Sequence, residues 1–510
     1  MSLSFSKASN GDVTCFWNNQ SLHSSYDPGK EAVRFVSNVH FTRNPSYILF
    51  LGPCLPYCVP ALREKYPDSK LIAIQYFSGL PVMENSWDHE IILSSSTITG
   101  EKIYSIIGEE LSVSTEVISW HATERFLPDS YITSQEAVKF FLNKSKSVLG
   151  TRLYFSKRWF SNTISFFSHL SSISLPERFT SSVLITASGP SLKETLPWIN
   201  QNRSSFFLIA LSSSLSVLAD SSITPDLCLS TDGGYWAKTH LQTFLYHFKT
   251  VPLAISPESS IPRILLETGS ILPLHYGDGP ASLFYKYTSI PYFAALRNGT
   301  VSGTALYLAR LLSSGPVLFA GLDLCYSKGF QHSQPNLIEN SLSISDFRCH
   351  TKETRSFLSS IAGKDSLELY RNWFASLSDE EVQSVYRIKP DEMDLSAALG
   401  TITDISFSEA AEITASANGN KGKIGKIKLR SCRNSILELL NAYKTKVQKY
   451  DASSYEEFAA DNEILELTKS LCFQKYLQMQ KNNSEKQFSL LLDELITSLD
   501  TTISSVEKLQ

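Results

Sequence analysis

Short apolar runs alternate with helix-like segments along most of this chain, and the alternation predicts the fold class. SYILFLG (46–52) reads as a strand, ALREKYP as a helix and KLIAIQYF (70–77) as a second strand. That order is a βαβ unit. The pattern resumes at VLITASGPS (183–191), a strand that stops at a tight turn, with the helix former LKETLPWIN after it. Strand runs follow at FFLIAL (206–211), DLCLSTD (226–232), VPLAI (251–255), SILPLHY (270–276) and PVLFAGLD (316–323), with helical segments such as SSSLSVLAD and TALYLARLLSS (304–314) between them. Strands that alternate with helices of about ten residues predict a mainly parallel sheet covered on both faces. Toward the C-terminus the period becomes helical, in SILELLNAYKTKVQKY, FAADNEILELTKSLCFQKYLQM and FSLLLDELITSLDTTISSVEKL.

The pattern therefore predicts an α/β protein: a degenerate Rossmann-like N-terminal domain over 1–150, a central domain with a Rossmann-like, mainly parallel sheet over 151–400, and a helical C-terminal domain over 401–510. The Gly/Lys tract KGKIGKIKLR (421–430) alternates with apolar residues and reads as an edge strand or hairpin. A net charge of −4 gives no electrostatic case for a nucleic-acid partner. The eight cysteines are scattered; only Cys54 and Cys58, in CLPYC, are close, and no second pair follows at zinc-site spacing. A reducing compartment is the expectation. The first twenty residues carry no apolar signal core and no run approaches a membrane span, so a cytoplasmic protein is expected.

Candidate chemistry gathers where strands end. SGPS, STDGG and GLDLCYS each lie just past a strand's carboxyl end, the edge at which open α/β sheets bind ligands. In the first of these, Ser188, Gly189, Pro190 and Ser191 precede a helix, so backbone N–H groups there can face an anion; Ser191 can cap the helix or meet a phosphate, and Pro190 contributes geometry alone. The plain alternative is a βα turn with an ordinary cap. Asp232 either contacts a ribose or base or caps Gly233–Gly234. The corresponding loop of the first block, GPCLPYC, lacks the glycines of a dinucleotide turn, and Gln75 stands where an acidic residue would hold a ribose.

Four further segments stand out: RWFSNTISFF (158–167), ASGPSLKETLPWI (187–199), ITPDLCLSTDGG (223–234) and NGTVSGTALYLARLLSSGPVLFAGLDLCYSKGFQH (298–332). Together they resemble the motility-associated factor (MAF) family of bacterial flagellin glycosyltransferases, whose central domain is related to 6-hydroxymethylpterin diphosphokinases. The G-P-S-L loop and the S-G…G-x-D-x-x-Y pattern also resemble sialyltransferases that use CMP-sugars. The resemblance implies transfer of a nonulosonic acid, of the pseudaminic or legionaminic type, from its CMP donor to Ser/Thr hydroxyls of flagellin. It implies no cofactor beyond the donor; no metal is expected, because STDGG has a single Asp rather than a paired-carboxylate motif and the sequence shows no His/Cys cluster.

Asn298, Gly299, Thr300, Ser302 and Gly303 would form a second small-polar turn at the nucleotide, and Tyr326 either hydrogen-bonds the phosphate or packs its ring on the loop. His332 and Asp323 are the acid–base candidates, because sugar transfer needs a base for the acceptor or an acid for the leaving group. Asp323 has a second reading, as a loop-holding carboxylate. Two other functions compete. One is pyrophosphoryl transfer to a hydroxymethylpterin, which wants Mg²⁺ carboxylates and a phosphate clamp; the cations near the loops are Lys193, Lys238 and Arg297. The other is a non-catalytic module that binds flagellin or another partner.

Overall fold

A computed structural model describes residues 2–83, 86–234, 237–297, 300–326, 331–362, 364–390, 398–417, 419–482 and 485–509. The chain forms two compact units, one of 1–154 with 473–491, the other of 155–472 with 492–510. The first boundary falls inside one 42-residue helix, Pro128–His169, and the last inside helix Glu485–Glu507. Among the described residues no helix is long and apolar enough to cross a membrane.

The first unit opens with a three-stranded antiparallel sheet, β1 (Leu3–Lys7), β2 (Val13–Trp17) and β3 (Gln20–Ser21). Its second sheet is parallel, built from β4 (Tyr47–Leu51), β5 (Lys70–Gln75), β6 (His89–Ile92) and β7 (Thr115–Ser119) in the order β6-β5-β4-β7. The run YILFL is buried at every position because apolar layers cover both faces of β4.

The crevice of this small sheet is filled by the chain itself. Gly52 ends β4 at φ +60°, and a Cβ there would lie 2.5 Å from Thr123 Oγ1 and 2.6 Å from the Tyr76 ring. Gln75 donates to the Cys54 carbonyl (2.9 Å) and to Glu90 (2.9 Å). Its amide thus ties the β4 loop to the neighbouring strand, which accounts for a buried Gln where a ribose-binding acid would stand.

The second unit is one broad sheet. Its strands are β8 (Ser172–Pro176), β9 (Val183–Thr186), β10 (Phe207–Leu211), β11 (Leu227–Ser230), β12 (Leu253–Ile255), β13 (Ile271–His275), β14 (Phe293–Ala294), β15 (Val317–Ala320), β16 (Val385–Ile388), β17 (Thr403–Ile405) and β18 (Ile424–Lys428). They run in the order β17-β16-β15-β9-β10-β11-β12-β13-β8-β18, with β14 on β13. Every pairing is parallel except the last, where β18 runs antiparallel to β8. The basic tract is thus an edge strand whose lysines mark the open side.

Helix Val301–Leu312 packs on the middle of this sheet, and its buried Ala305 and Ala309 permit close approach. Val183, Ile185, Phe207, Ile209, Leu229 and Phe319 supply the facing core, each worth roughly 1.5–3 kcal/mol on burial. Successive strands step one way from β9 to β13, then return to its other side at β15. The order reverses between β9 and β15, and the loops that leave those two strands flank the switch point.

Candidate active site

The two loops at the switch point are bonded to each other. Ala187 N–H donates to Ala320 O (2.9 Å) and Gly189 N–H to Gly321 O (2.7 Å). Ser191 N–H donates to Asp323 Oδ2 (2.6 Å), and its hydroxyl donates to Oδ1. A carboxylate of the chain itself thus occupies the start of helix Leu192–Gln201, the place where the sequence puts a phosphate. Asp323 is 1% exposed. Burial pushes its carboxyl up, against the pull of the two Ser191 bonds and of Arg387. Behind it Arg387, also buried, holds Asp404 through both carboxylate oxygens (2.7 and 2.8 Å) and donates to Leu322 O (3.3 Å). These contacts are those of the loop-holding reading of Asp323. Gly189 is small for the same reason: a Cβ would come within 2.5 Å of Gly321 O and 2.7 Å of the Asp323 carboxylate. Ser188 and Gly189 turn their carbonyls to Ser333, which donates its N–H (2.7 Å) and hydroxyl (2.6 Å); Pro190 O lies 3.3 Å from the same hydroxyl.

A second helix start opens on the same edge of the sheet. Thr300 caps helix Val301–Leu312 by accepting from Ser302 N–H (3.3 Å), and Ser302 and Gly303 are buried in its first turn. An opening turn leaves N–H groups without intrahelical partners, so this start can receive an anion. Asn298 and Gly299 lie outside the described residues. Asp232 is exposed and accepts from Gly234 N–H (2.7 Å), the capping geometry, which leaves its other oxygen for a ligand hydroxyl.

Sequence reasoning missed the polar cluster beside these residues. Arg297 donates to both oxygens of Asp278 (2.8 Å each) and both of Glu258 (2.6 and 2.8 Å), and lies over the Tyr276 ring at 4.5 Å. Burial opposes its charge, but the Glu258 and Asp278 carboxylates outweigh burial and hold the guanidinium firmly protonated. Trp159 packs so closely on Gly233 that a Cβ there would meet the indole nitrogen at 2.4 Å, and Asn162 donates to Glu258 O (2.8 Å). The signal was available: Glu258 and Asp278 follow the apolar runs that became β12 and β13, as SGPS follows β9.

His332 is tethered to the switch point through its neighbour Ser333, which holds the SGPS carbonyls. Burial lowers its pKa while Glu339 opposes. His240, on helix Ala237–His247, was not foreseen; burial and then the nearby His332 push it down to about 4. Among the described residues its buried Nδ1 has no hydrogen-bond partner. Both imidazoles are therefore held toward the neutral form, which is the form that accepts a proton. Tyr326 is half-buried and donates to Gln331 Oε1 (3.4 Å).

This architecture has known counterparts. Residues 155–329 match the family described as 6-hydroxymethylpterin diphosphokinase MptE-like. The MAf glycosyltransferase of Magnetospirillum magneticum AMB-1 has the same fold, with a TM-score of 0.52 over 99% of this chain and 92% of that one, at 12% identity. The protein thus has a MAF-like, glycosyltransferase-like fold around an MptE-like centre. An uncharacterized protein of Treponema pallidum (strain Nichols) is 30% identical over 333 residues, which is 62% of this chain and 72% of the treponemal one. This chain belongs to the same family as that treponemal protein.

Proposed function

We propose that this protein is a glycosyltransferase that passes a nonulosonic acid, of the pseudaminic or legionaminic type, from a CMP donor to Ser/Thr hydroxyls of flagellin in the cytoplasm. The observation that carries the proposal is the extent of the shared fold. Likeness to a glycosyltransferase runs through 99% of the chain, well beyond the 155–329 segment matched by the pterin-kinase family. In the proposed reaction the acceptor oxygen bonds to the anomeric carbon as the bond from that carbon to the CMP phosphate oxygen breaks. His332 takes the acceptor proton, and CMP leaves with the bonding pair. The start of helix Val301–Leu312 receives the phosphate and Asp232 a ribose or base group, with no cofactor required beyond the donor. The occupied helix start at Ser191 supports this division of labour, since a phosphate there would have to displace Asp323.

The pterin-kinase reading is favoured by the family match alone. Its phosphate clamp would have to come from cations such as Arg297, which is already paired with two carboxylates. Thermal unfolding separates the readings. A ligand at a hundredfold excess over Kd stabilises by about 2.7 kcal/mol, so CMP or CTP should raise Tm clearly more than ATP with Mg²⁺. An equal or larger shift with ATP and Mg²⁺ would favour the kinase.

A further inference from the structure

The first unit contains a buried cluster that the transferase reading does not use. Cys15 on β2, His23 just after β3 and Cys54 in the loop after β4 are at most 2% exposed. One ligand atom from each lies within 4.8 Å of the others. Among the described residues no cysteine forms a disulfide. Sequence spacing hid the group, because its members come from a hairpin strand, the segment just after the hairpin and the eroded CLPYC loop.

We propose that Cys15, His23 and Cys54 form a zinc site. Three features of the protein point to it. Among the described residues His23 Nδ1 is buried without a hydrogen bond, with Glu31 Oε2 3.9 Å away, while Nε2 lies 3.1 Å from Pro53 O and accepts from Leu55 N–H (3.2 Å). A metal at Nδ1 would set the tautomer in which Nε2–H turns to the Pro53 carbonyl, the arrangement usual for metal-bound histidine. Cys54 is held at φ +57°, a left-handed conformation that disfavours a side chain, and its carbonyl is pinned by Gln75 (2.9 Å). The surroundings are also set in advance: Leu22 N–H donates to Cys15 O (2.9 Å), and the Trp120 and Tyr57 rings lie 5.0 and 5.6 Å from the imidazole.

Charge selects the ion. Two thiolates, a neutral imidazole and a divalent cation sum to zero, whereas a monovalent ion would leave a buried negative charge. Binding forms two Zn–S bonds and one Zn–N bond and releases two thiol protons to solvent, with no change of oxidation state. Three protein ligands leave the fourth tetrahedral position to a small exogenous group.

The test uses the full chain, prepared under thiol reductant. Elemental analysis should find about one zinc per chain in the wild type and in Cys58→Ser, a neighbouring buried thiol outside the cluster. It should find at least tenfold less in Cys15→Ser and Cys54→Ser. Should those two variants fail to fold, the wild type decides by itself: Co²⁺ in place of zinc must give a thiolate-to-cobalt charge-transfer band. Absence of that band, zinc retained by folded Cys54→Ser, or a Cys15–Cys54 disulfide in peptide maps of protein made without reductant would each overturn the proposal.

Discussion

Replacing His332 by Asn should slow sugar transfer by about 10²–10⁴-fold, the usual worth of a positioned proton-transfer group, and leave CMP affinity nearly unchanged. The nucleotide contacts proposed at Thr300, Ser302 and Asp232 do not involve the imidazole, so binding and chemistry separate. Asn keeps a hydrogen-bonding side chain but cannot exchange a proton near neutral pH. The pH profile adds a signature that a packing defect would not produce. Burial lowers the His332 pKa from the ordinary 6.5, so the base form dominates at neutral pH. Wild-type transfer should hold into mildly acid solution and fall only as pH drops through that lowered value. Flagellin glycosylation in a complemented deletion strain gives the activity readout, and CMP titration gives the affinity. Full modification by His332→Asn would remove this residue from the mechanism. Joint loss of affinity and modification would make it a binding residue.

Gly189→Val should unfold or severely destabilise the second unit rather than merely block a ligand. The added Cβ would meet Gly321 O at 2.5 Å and the Asp323 carboxylate at 2.7 Å, both fixed by the bonds that join the two loops. Forcing them apart overpacks a closed turn and strains the Gly189–Gly321 and Ser191–Asp323 bonds together, at about 3 kcal/mol or more. Gly150→Ala is the control. Its Cβ would meet nothing within 4 Å, and it lies within a helix where Ala is favoured by about 1 kcal/mol. Thermal unfolding should therefore show a large fall for the first variant and none for the second. A Gly189→Val protein with wild-type Tm would mean that the two loops are not clamped as described.

Much of the sheet was legible because its strands are apolar on both faces. The runs that became β4, β5, β9 to β13 and β15 could be picked out on that ground alone. β16 and β17 could not. Each is short, and Arg387 on one stands in register opposite Asp404 on the other, so an ion pair with a buried Arg387 and an exposed Asp404 occupies positions where apolar residues would have signalled a strand. The exposed hairpin strands β1 and β3 carry little buried surface and no run to read.

Legibility at the site followed the same logic. The SGPS and G-x-D loops were visible as segments, but their mutual bonding was not, because 132 residues separate Ser191 from Asp323. What reads in sequence as an empty anion cradle is in the fold a helix start occupied by the chain's own carboxylate. The position of Glu258 and Asp278 after apolar runs was visible, but their pairing with Arg297 and the meeting of Cys15, His23 and Cys54 were not, since the members of each group are far apart in sequence and converge only when strands align.

The most direct measurement is transfer itself. Purified protein, CMP-pseudaminic or CMP-legionaminic acid and unmodified flagellin should yield flagellin heavier by whole sugar residues on intact-mass spectrometry, with CMP released in equal amount. Flagellin of unchanged mass with both donors, under conditions where the chain binds CMP or flagellin, would contradict the account and leave a binding module. Unchanged mass together with ATP-dependent pyrophosphorylation of hydroxymethylpterin would replace the account with the kinase.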